Sequence, residues 1–309
     1  MKNKNLLGVA LITLLIGGLF SACLSTPSEA SQKVNITVSI LPQKYFVERI
    51  AGDLAQVNVM VGPGESPHTY EPQPAQMEAL SNSSIYFLIG VEFEEAWIDK
   101  FKETSPDTTF IDTSEVVQKI PMVESEEAMD EHHEEHQEEH HEEDHDHGGL
   151  DPHIWLSPQN VIQIANRMAA ALSEIDSENS MVYTQNLQDF IAEIKDLDIE
   201  NRAAFENITS QQFITFHPAW GYFARDYGLQ QIPIEVGGNE PSAQELSTLI
   251  EFAKENDIRI IFASPEFNTR SAETIASEIK GEVILISPLA EDWMENMKTI
   301  TNSLSEILQ

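Results

Sequence analysis

Ten histidines fall into two groups that suit different chemistry. Seven of them, His132, His133, His136, His140, His141, His145 and His147, lie between Glu124 and His147 with thirteen Asp or Glu and no Lys or Arg. Imidazole suits zinc, copper and nickel, and carboxylates attract any divalent cation, so the run is a compositional pointer to metal. Its charge density and shortage of apolar residues cannot offset the entropy of ordering, which predicts a disordered loop over 124–147. The other three, His68, His153 and His217, are separated by 85 and 64 residues. A lone histidine is usually a structural or surface residue. These three share a setting, however: each stands in a proline-flanked loop at the end of an expected strand or the start of an expected helix, where α/β folds place ligands. Three imidazoles plus one open or carboxylate position is an ordinary zinc arrangement.

Positioning those loops requires a scaffold of sheets. Val34 to Leu41 alternates polar and β-branched residues before Pro42 opens an amphipathic segment to Ile50, a strand followed by a helix with proline in its favoured first turn. Gln56 to Val61 reads as a second strand and runs into the Gly/Pro-rich loop from Gly62 to Pro72, which carries His68. Further strands are expected over 85–89 and 109–111, and helices over 73–80 and 94–101. Beyond the acidic tract, Ser157 can cap a helix that has Pro158 in its first turn and continues to about Ile175. Ser180 to Phe205 has no internal Pro or Gly, and Met181, Leu187, Phe190, Ile191, Ile194, Leu197 and Ile199 form much of an apolar stripe. At 1.5 Å per residue such a helix is roughly 35 Å long, enough to bridge two lobes. The alternation then repeats, with strands over 213–216, 229–234, 259–263 and 282–286; His217 follows the first of these and Ser242 opens a later helix.

With 309 residues the chain has room for two cores. The repeated strand-then-helix order predicts an α/β architecture of two lobes, each a mostly parallel sheet flanked by helices. The expected division is 34–176 for an N-terminal lobe, 177–206 for a linking helix and 207–309 for a C-terminal lobe.

The first residues carry Lys2 and Lys4, an apolar run from Leu6 to Phe20, then Ser21-Ala22-Cys23. A charged start, an apolar stretch too short for a comfortable span and small residues before a cleavage point read as an export signal over 1–22. Cys23 is the only cysteine, so no disulfide forms within the chain and thiolate metal sites are excluded from the fold. Its setting resembles a bacterial lipoprotein box, with Phe20 where leucine is usual, and implies lipidation of Cys23 as a membrane anchor. Residues 23–33, rich in Ser, Thr and Pro, then read as a tether. The formal net charge of −35 stays near −24 when the tract and the signal are set aside. That surface repels phosphate backbones, which argues against nucleic acid as a partner. No Walker-type loop is present for ATP hydrolysis, and no His-Glu-x-x-His helix signals a zinc hydrolase.

Four stretches carry a resemblance: Gly64-Glu-Ser-Pro-His-Thr-Tyr-Glu-Pro72, Asp151-Pro-His-Ile-Trp-Leu-Ser-Pro158, Phe216-His-Pro-Ala-Trp-Gly-Tyr-Phe-Ala-Arg-Asp-Tyr-Gly-Leu229 and Glu240-Pro-Ser242. In sequence and order they resemble the zinc-specific substrate-binding proteins of bacterial ABC importers, over essentially the whole mature chain. The resemblance implies two α/β lobes joined by a rigid helix, with Zn2+ held in the cleft between them by His68, His153 and His217. It also implies a monomeric, exported, non-enzymatic protein facing the periplasm or cell exterior, which passes zinc to a permease served by its own ATPase. The His-rich loop is expected to be an accessory element for zinc acquisition, buffering or sensing. One departure concerns the fourth ligand. Many relatives place Asp directly before Pro-Leu in the last strand-to-helix loop, whereas Ser287 stands there in this chain. Water or a nearby carboxylate must then complete the set, the candidates being Glu65, Glu240, Glu266 and Asp292. Manganese- or iron-binding relatives, a surface adhesin and a zinc-dependent hydrolase are the alternative readings.

Overall fold

The computed structural model describes residues 33–123, 149–235 and 239–309. The expected signal, Cys23, most of the tether and the seven-histidine tract all lie outside the described residues.

Among the described residues, eight strands form two four-stranded sheets. β1 (Val34–Val38), β2 (Ala55–Val59), β3 (Ile85–Leu88) and β4 (Thr109–Asp112) make the first, in the order β2-β1-β3-β4. β5 (Gln212–Thr215), β6 (Gln230–Pro233), β7 (Ile260–Ala263) and β8 (Glu282–Leu285) make the second, in the equivalent order β6-β5-β7-β8. Every pairing is parallel. Buried Val, Ile and Phe along β1, β3, β5 and β7 suit strands covered on both faces by helices. In both sheets the strand order reverses beside the first strand, and the crevice at the carboxyl ends of the strands there is the usual ligand position in open α/β sheets.

Helices α1 (Leu41–Ala51), α2 (Pro74–Ser81) and α3 (Glu92–Thr104) connect the first sheet. α3 begins two residues earlier than the pattern suggests. Glu92, Glu94 and Glu95 crowd its first turn, where carboxylates are favoured by the helix dipole, and two of them are used elsewhere, as described below. α4 (Pro158–Ile175) starts at Ser157, whose hydroxyl accepts a hydrogen bond from Asn160 N at 3.2 Å. α5 (Ser180–Ala204) is the long helix between the two sheets in the chain. Its buried stripe is narrower than expected: Tyr183, Phe190, Ile194, Leu197 and Asn201 face inward, while Met181 and Ile199 are exposed.

The second sheet is joined by α6 (Gly221–Tyr227), α7 (Ala243–Glu255) and α8 (Arg270–Ile279), and the chain closes with α9 (Trp293–Ile307). Although α9 follows the second sheet, it packs on α5, and the Trp293 ring meets Phe46 of α1 edge-on at 5.4 Å between centroids. The larger apolar core is therefore continuous from the first sheet through α5 and α9 to Phe213, Trp220 and Phe223. A smaller core lies between the second sheet and α7 and α8.

Candidate metal centre

Loops from both sheets bring the three isolated histidines together. His68 lies in the loop after β2, His153 in the segment leading to α4, and His217 two residues past the end of β5. His217 Nε2 stands 3.2 Å from His68 Nε2 and 3.1 Å from His153 Nε2, and the donor atoms of all three lie within 4.8 Å of one another. A tetrahedral zinc with bonds of about 2.0–2.1 Å separates its ligand nitrogens by about 3.3–3.4 Å. The two spacings to His217 are a few tenths of an ångström short of that, so a small ion needs slight outward movement of that ring.

Each imidazole is backed by a carboxylate on its other nitrogen. His68 Nδ1 is 3.0 Å from Glu92 Oε1, His153 Nδ1 is 2.8 Å from Asp151 Oδ1, and His217 Nδ1 is 2.7 Å from Glu235 Oε1. A carboxylate accepts the Nδ1–H, which leaves the Nε2 lone pair facing the shared centre and fixes the ring plane. His153 and His217 are buried with their partners Asp151 and Glu235, whereas His68 and Glu92 form the more open side. Burial is the leading cause that lowers the pKa of His217, aided by the neighbouring histidines and opposed by Glu235. It is therefore neutral at pH 7, as ligation demands. Burial raises the Glu92 carboxyl, but the hydrogen bond and charge of His68 outweigh it and bring the group to about 2.

The His153 segment is tied down from several directions. Its own N–H donates to Asp151 Oδ1 at 2.8 Å, and Asp151 O accepts from Tyr222 Oη of α6 at 2.8 Å. Trp155 Nε1 donates to Pro288 O at 2.8 Å, while Trp293 Nε1 donates to Trp155 O at 2.7 Å. Gly221 opens α6 because a side chain there has no room: a Cβ would stand 2.6 Å from Asp151 Oδ2. On the other side, the Phe267 ring stacks on His217 with 4.7 Å between centroids and 28° between planes.

The carboxylates considered for a fourth ligand are engaged elsewhere. Glu65 accepts from Gly62 N at 2.7 Å, Glu240 from the Ser271 hydroxyl, and Asp292 from Glu295 N at the start of α9. Glu266 accepts from the hydroxyls of both Ser264 and Ser287. None of the four belongs to the group of converging donor atoms among the described residues. Sequence reasoning did not single out Glu92, Asp151, Glu235, Gly221 or Phe267. Only Asp151 carried a local signal, standing two residues before His153; the others are brought in by tertiary approach.

Two parallel α/β sheets of matching order, with their carboxyl-end loops meeting at a cluster of converging histidines, define a two-lobed α/β protein with a candidate metal site where the loops meet. A family model described as zinc-uptake complex component A, periplasmic, matches residues 36–307. The chain belongs to that family. The high-affinity zinc uptake system protein ZnuA of Bacillus subtilis (strain 168) is 29% identical over 280 residues, covering 88% of this chain and 85% of that protein. The zinc-binding lipoprotein AdcA of Streptococcus pneumoniae (strain ATCC BAA-255 / R6) is 27% identical over 301 residues, 96% of this chain but 58% of that longer protein. Among solved structures, a crystal structure of ZnuA superposes with a TM-score of 0.81 at 42% identity, over 90% of this chain and 100% of that one. A ZnuA deletion mutant with zinc bound gives 0.80 at 41%, over 90% and 99%.

Proposed function

We propose that this protein captures Zn2+ with His68, His153 and His217 outside the cytoplasmic membrane and delivers it to an ABC importer permease driven by a partner ATPase. The convergence of three Nε2 atoms, each imidazole braced by a carboxylate, is the observation that carries this reading. Three imidazole nitrogens and no carboxylate in the group suit zinc better than manganese or magnesium, which favour oxygen-rich sets. The fourth position is left to water, which gives the ion an exchangeable ligand through which it can enter and leave. Glu92, Asp151 and Glu235 keep the rings aligned and disperse the positive charge of the bound ion. Family membership and the zinc named for the relatives support the cargo assignment. Among the described residues no helix is long and apolar enough to cross a membrane, and we assign attachment to acylated Cys23.

The seven-histidine tract serves, in this reading, as an accessory that gathers zinc near the cleft. Two measurements test the division of labour. His153→Ala should reduce zinc affinity by more than the roughly 10- to 100-fold that loss of a supporting partner costs, and unchanged affinity would remove the triad from consideration. Deleting 124–147 should lower the total zinc stoichiometry and leave the tight site in place; loss of the tight site would reverse the roles of tract and cleft.

A further inference from the structure

The loop after β7 carries one acid and one aromatic side by side, Glu266 and Phe267. Its acid is turned toward two hydroxyls, Ser264 and Ser287, and its aromatic is turned toward the histidines. The Phe267 ring stacks on His217, lies 6.0 Å from the ring of His68 and packs beside Phe216 at 6.2 Å. Two of the three imidazoles are thus bordered by atoms that cannot coordinate a metal, in a loop whose neighbouring residue could. Zinc is satisfied by four ligands including several nitrogens, whereas manganese and iron(II) favour five or six with more oxygen.

We propose that Phe267 is a metal-selectivity residue of this site. Its ring occupies the space beside His68 and His217 from which a carboxylate or a second water would raise the coordination number, and so holds the bound ion at four ligands. The inference rests on the reading of the triad as the zinc site and adds the side chain that enforces the choice of metal. Ser287 has a part in it, since its hydroxyl helps to keep Glu266 away from the ion.

Cobalt(II) reports coordination number directly, because its visible absorption is strong when four-coordinate and weak when five- or six-coordinate. Less than one equivalent of Co2+ is added to the full chain, to His153→Ala, and to Phe267→Ala, Phe267→Asn and Phe267→Leu, each checked for a cooperative melt; Mn2+ binding is followed by the EPR signal of the free ion. Wild type should give the intense four-coordinate spectrum and His153→Ala should not. Phe267→Ala should weaken the absorption several-fold and tighten Mn2+ binding about tenfold. Phe267→Asn should do the same and stands in if the alanine variant melts without cooperativity, while Phe267→Leu restores the wild-type behaviour. If wild type and His153→Ala give one spectrum, the triad is not the tight site and the functional reading fails. If they differ but the folded Phe267→Ala or Phe267→Asn variant matches wild type in both spectrum and Mn2+ affinity, the selectivity inference alone is overturned.

Discussion

Replacing Gly221 by alanine should weaken zinc binding without touching a ligand. The new Cβ would stand 2.6 Å from Asp151 Oδ2 and 3.3 Å from Gln231 Nε2, where ordinary contact begins near 3.4 Å, so the carboxylate or the start of α6 must yield by about 0.8 Å. Neither yields freely. Asp151 Oδ1 holds both His153 N and His153 Nδ1 at 2.8 Å, and the backbone of Asp151 is bonded to Ile120 O at 2.9 Å and to Tyr222 Oη at 2.8 Å. Asp151 Oδ2 is buried with no hydrogen-bond partner, so nothing attractive guides it to a new position. A displacement of that size breaks the bond that orients His153. Loss of such a supporting partner costs about 10- to 100-fold in metal affinity, or about 1.4–2.7 kcal/mol, beside an overpacking cost of about 1–3 kcal/mol in stability. Zinc affinity is read by competition with a chromophoric chelator and stability by a parallel melt. The decisive arm is the double mutant: in the Asp151→Ala background the clash is gone, and Gly221→Ala should add less than about twofold, as expected for a fully coupled pair. Wild-type affinity in Gly221→Ala, or an equal loss in both backgrounds, would refute the proposed coupling.

Three further outcomes follow from groups in or near the site. Glu94 is 5% exposed and accepts from Ile89 N at 2.9 Å, Gly90 N at 2.7 Å and the Ser39 hydroxyl; burial nevertheless pushes its carboxyl up to about 7. Between the unfolded value near 4.5 and 7 the folded state holds the extra proton, so stability falls as pH rises across that window, by up to roughly 3 kcal/mol. Urea unfolding from pH 5 to 8 should show this decline in wild type and its loss in Glu94→Gln. His217 acts in the opposite sense: its folded pKa is below 6.5, so in the zinc-free protein the unfolded chain takes up that proton first and stability drops as pH falls below 6.5. Its neutral form also persists to lower pH than an ordinary histidine, and zinc release with a midpoint above pH 7 in a chelator titration would contradict its role as a ligand. Trp293→Ala should cost about 3–5 kcal/mol in denaturant unfolding, because a buried ring against Phe46 is lost and Trp155 O loses its donor. A cost under about 1 kcal/mol would mean that α9 does not share the main core.

The sheets were legible because the signals that define them are local. Alternation in Val34 to Val38, the Ser157-Pro158 helix start and the Gly/Pro-rich turns after strands each act within a few residues, and parallel strands force their connecting loops to the same edge. What local pattern could not reach is the path of the last helix. Trp293, Met297, Ile300 and Leu304 form an apolar stripe in the sequence, but nothing in the stripe says whether it covers the second sheet or crosses to α5. The same blindness affected α5, where Met181 and Ile199 match the apolar count yet lie on the solvent side.

The site divides along a similar line, and the reason is scarcity. Outside the tract there are three histidines, so their shared loop setting could be noticed. The chain has 52 Asp and Glu against 17 Lys and Arg, so the carboxylates that matter are hidden among many that do not. Glu65, Glu240, Glu266 and Asp292 were natural suspects for a fourth ligand because they stand in the right loops. In the structure each is spent on a backbone amide or a hydroxyl, while Glu92, Asp151 and Glu235 approach the triad from behind and take the Nδ1 protons. Carboxylates behind the imidazoles and an aromatic ring beside them yield a nitrogen-only centre in a strongly acidic protein. In the proposed reading, the surface charge attracts cations of every kind, while the nitrogen ligands and the flanking Phe267 ring retain the one that four ligands satisfy.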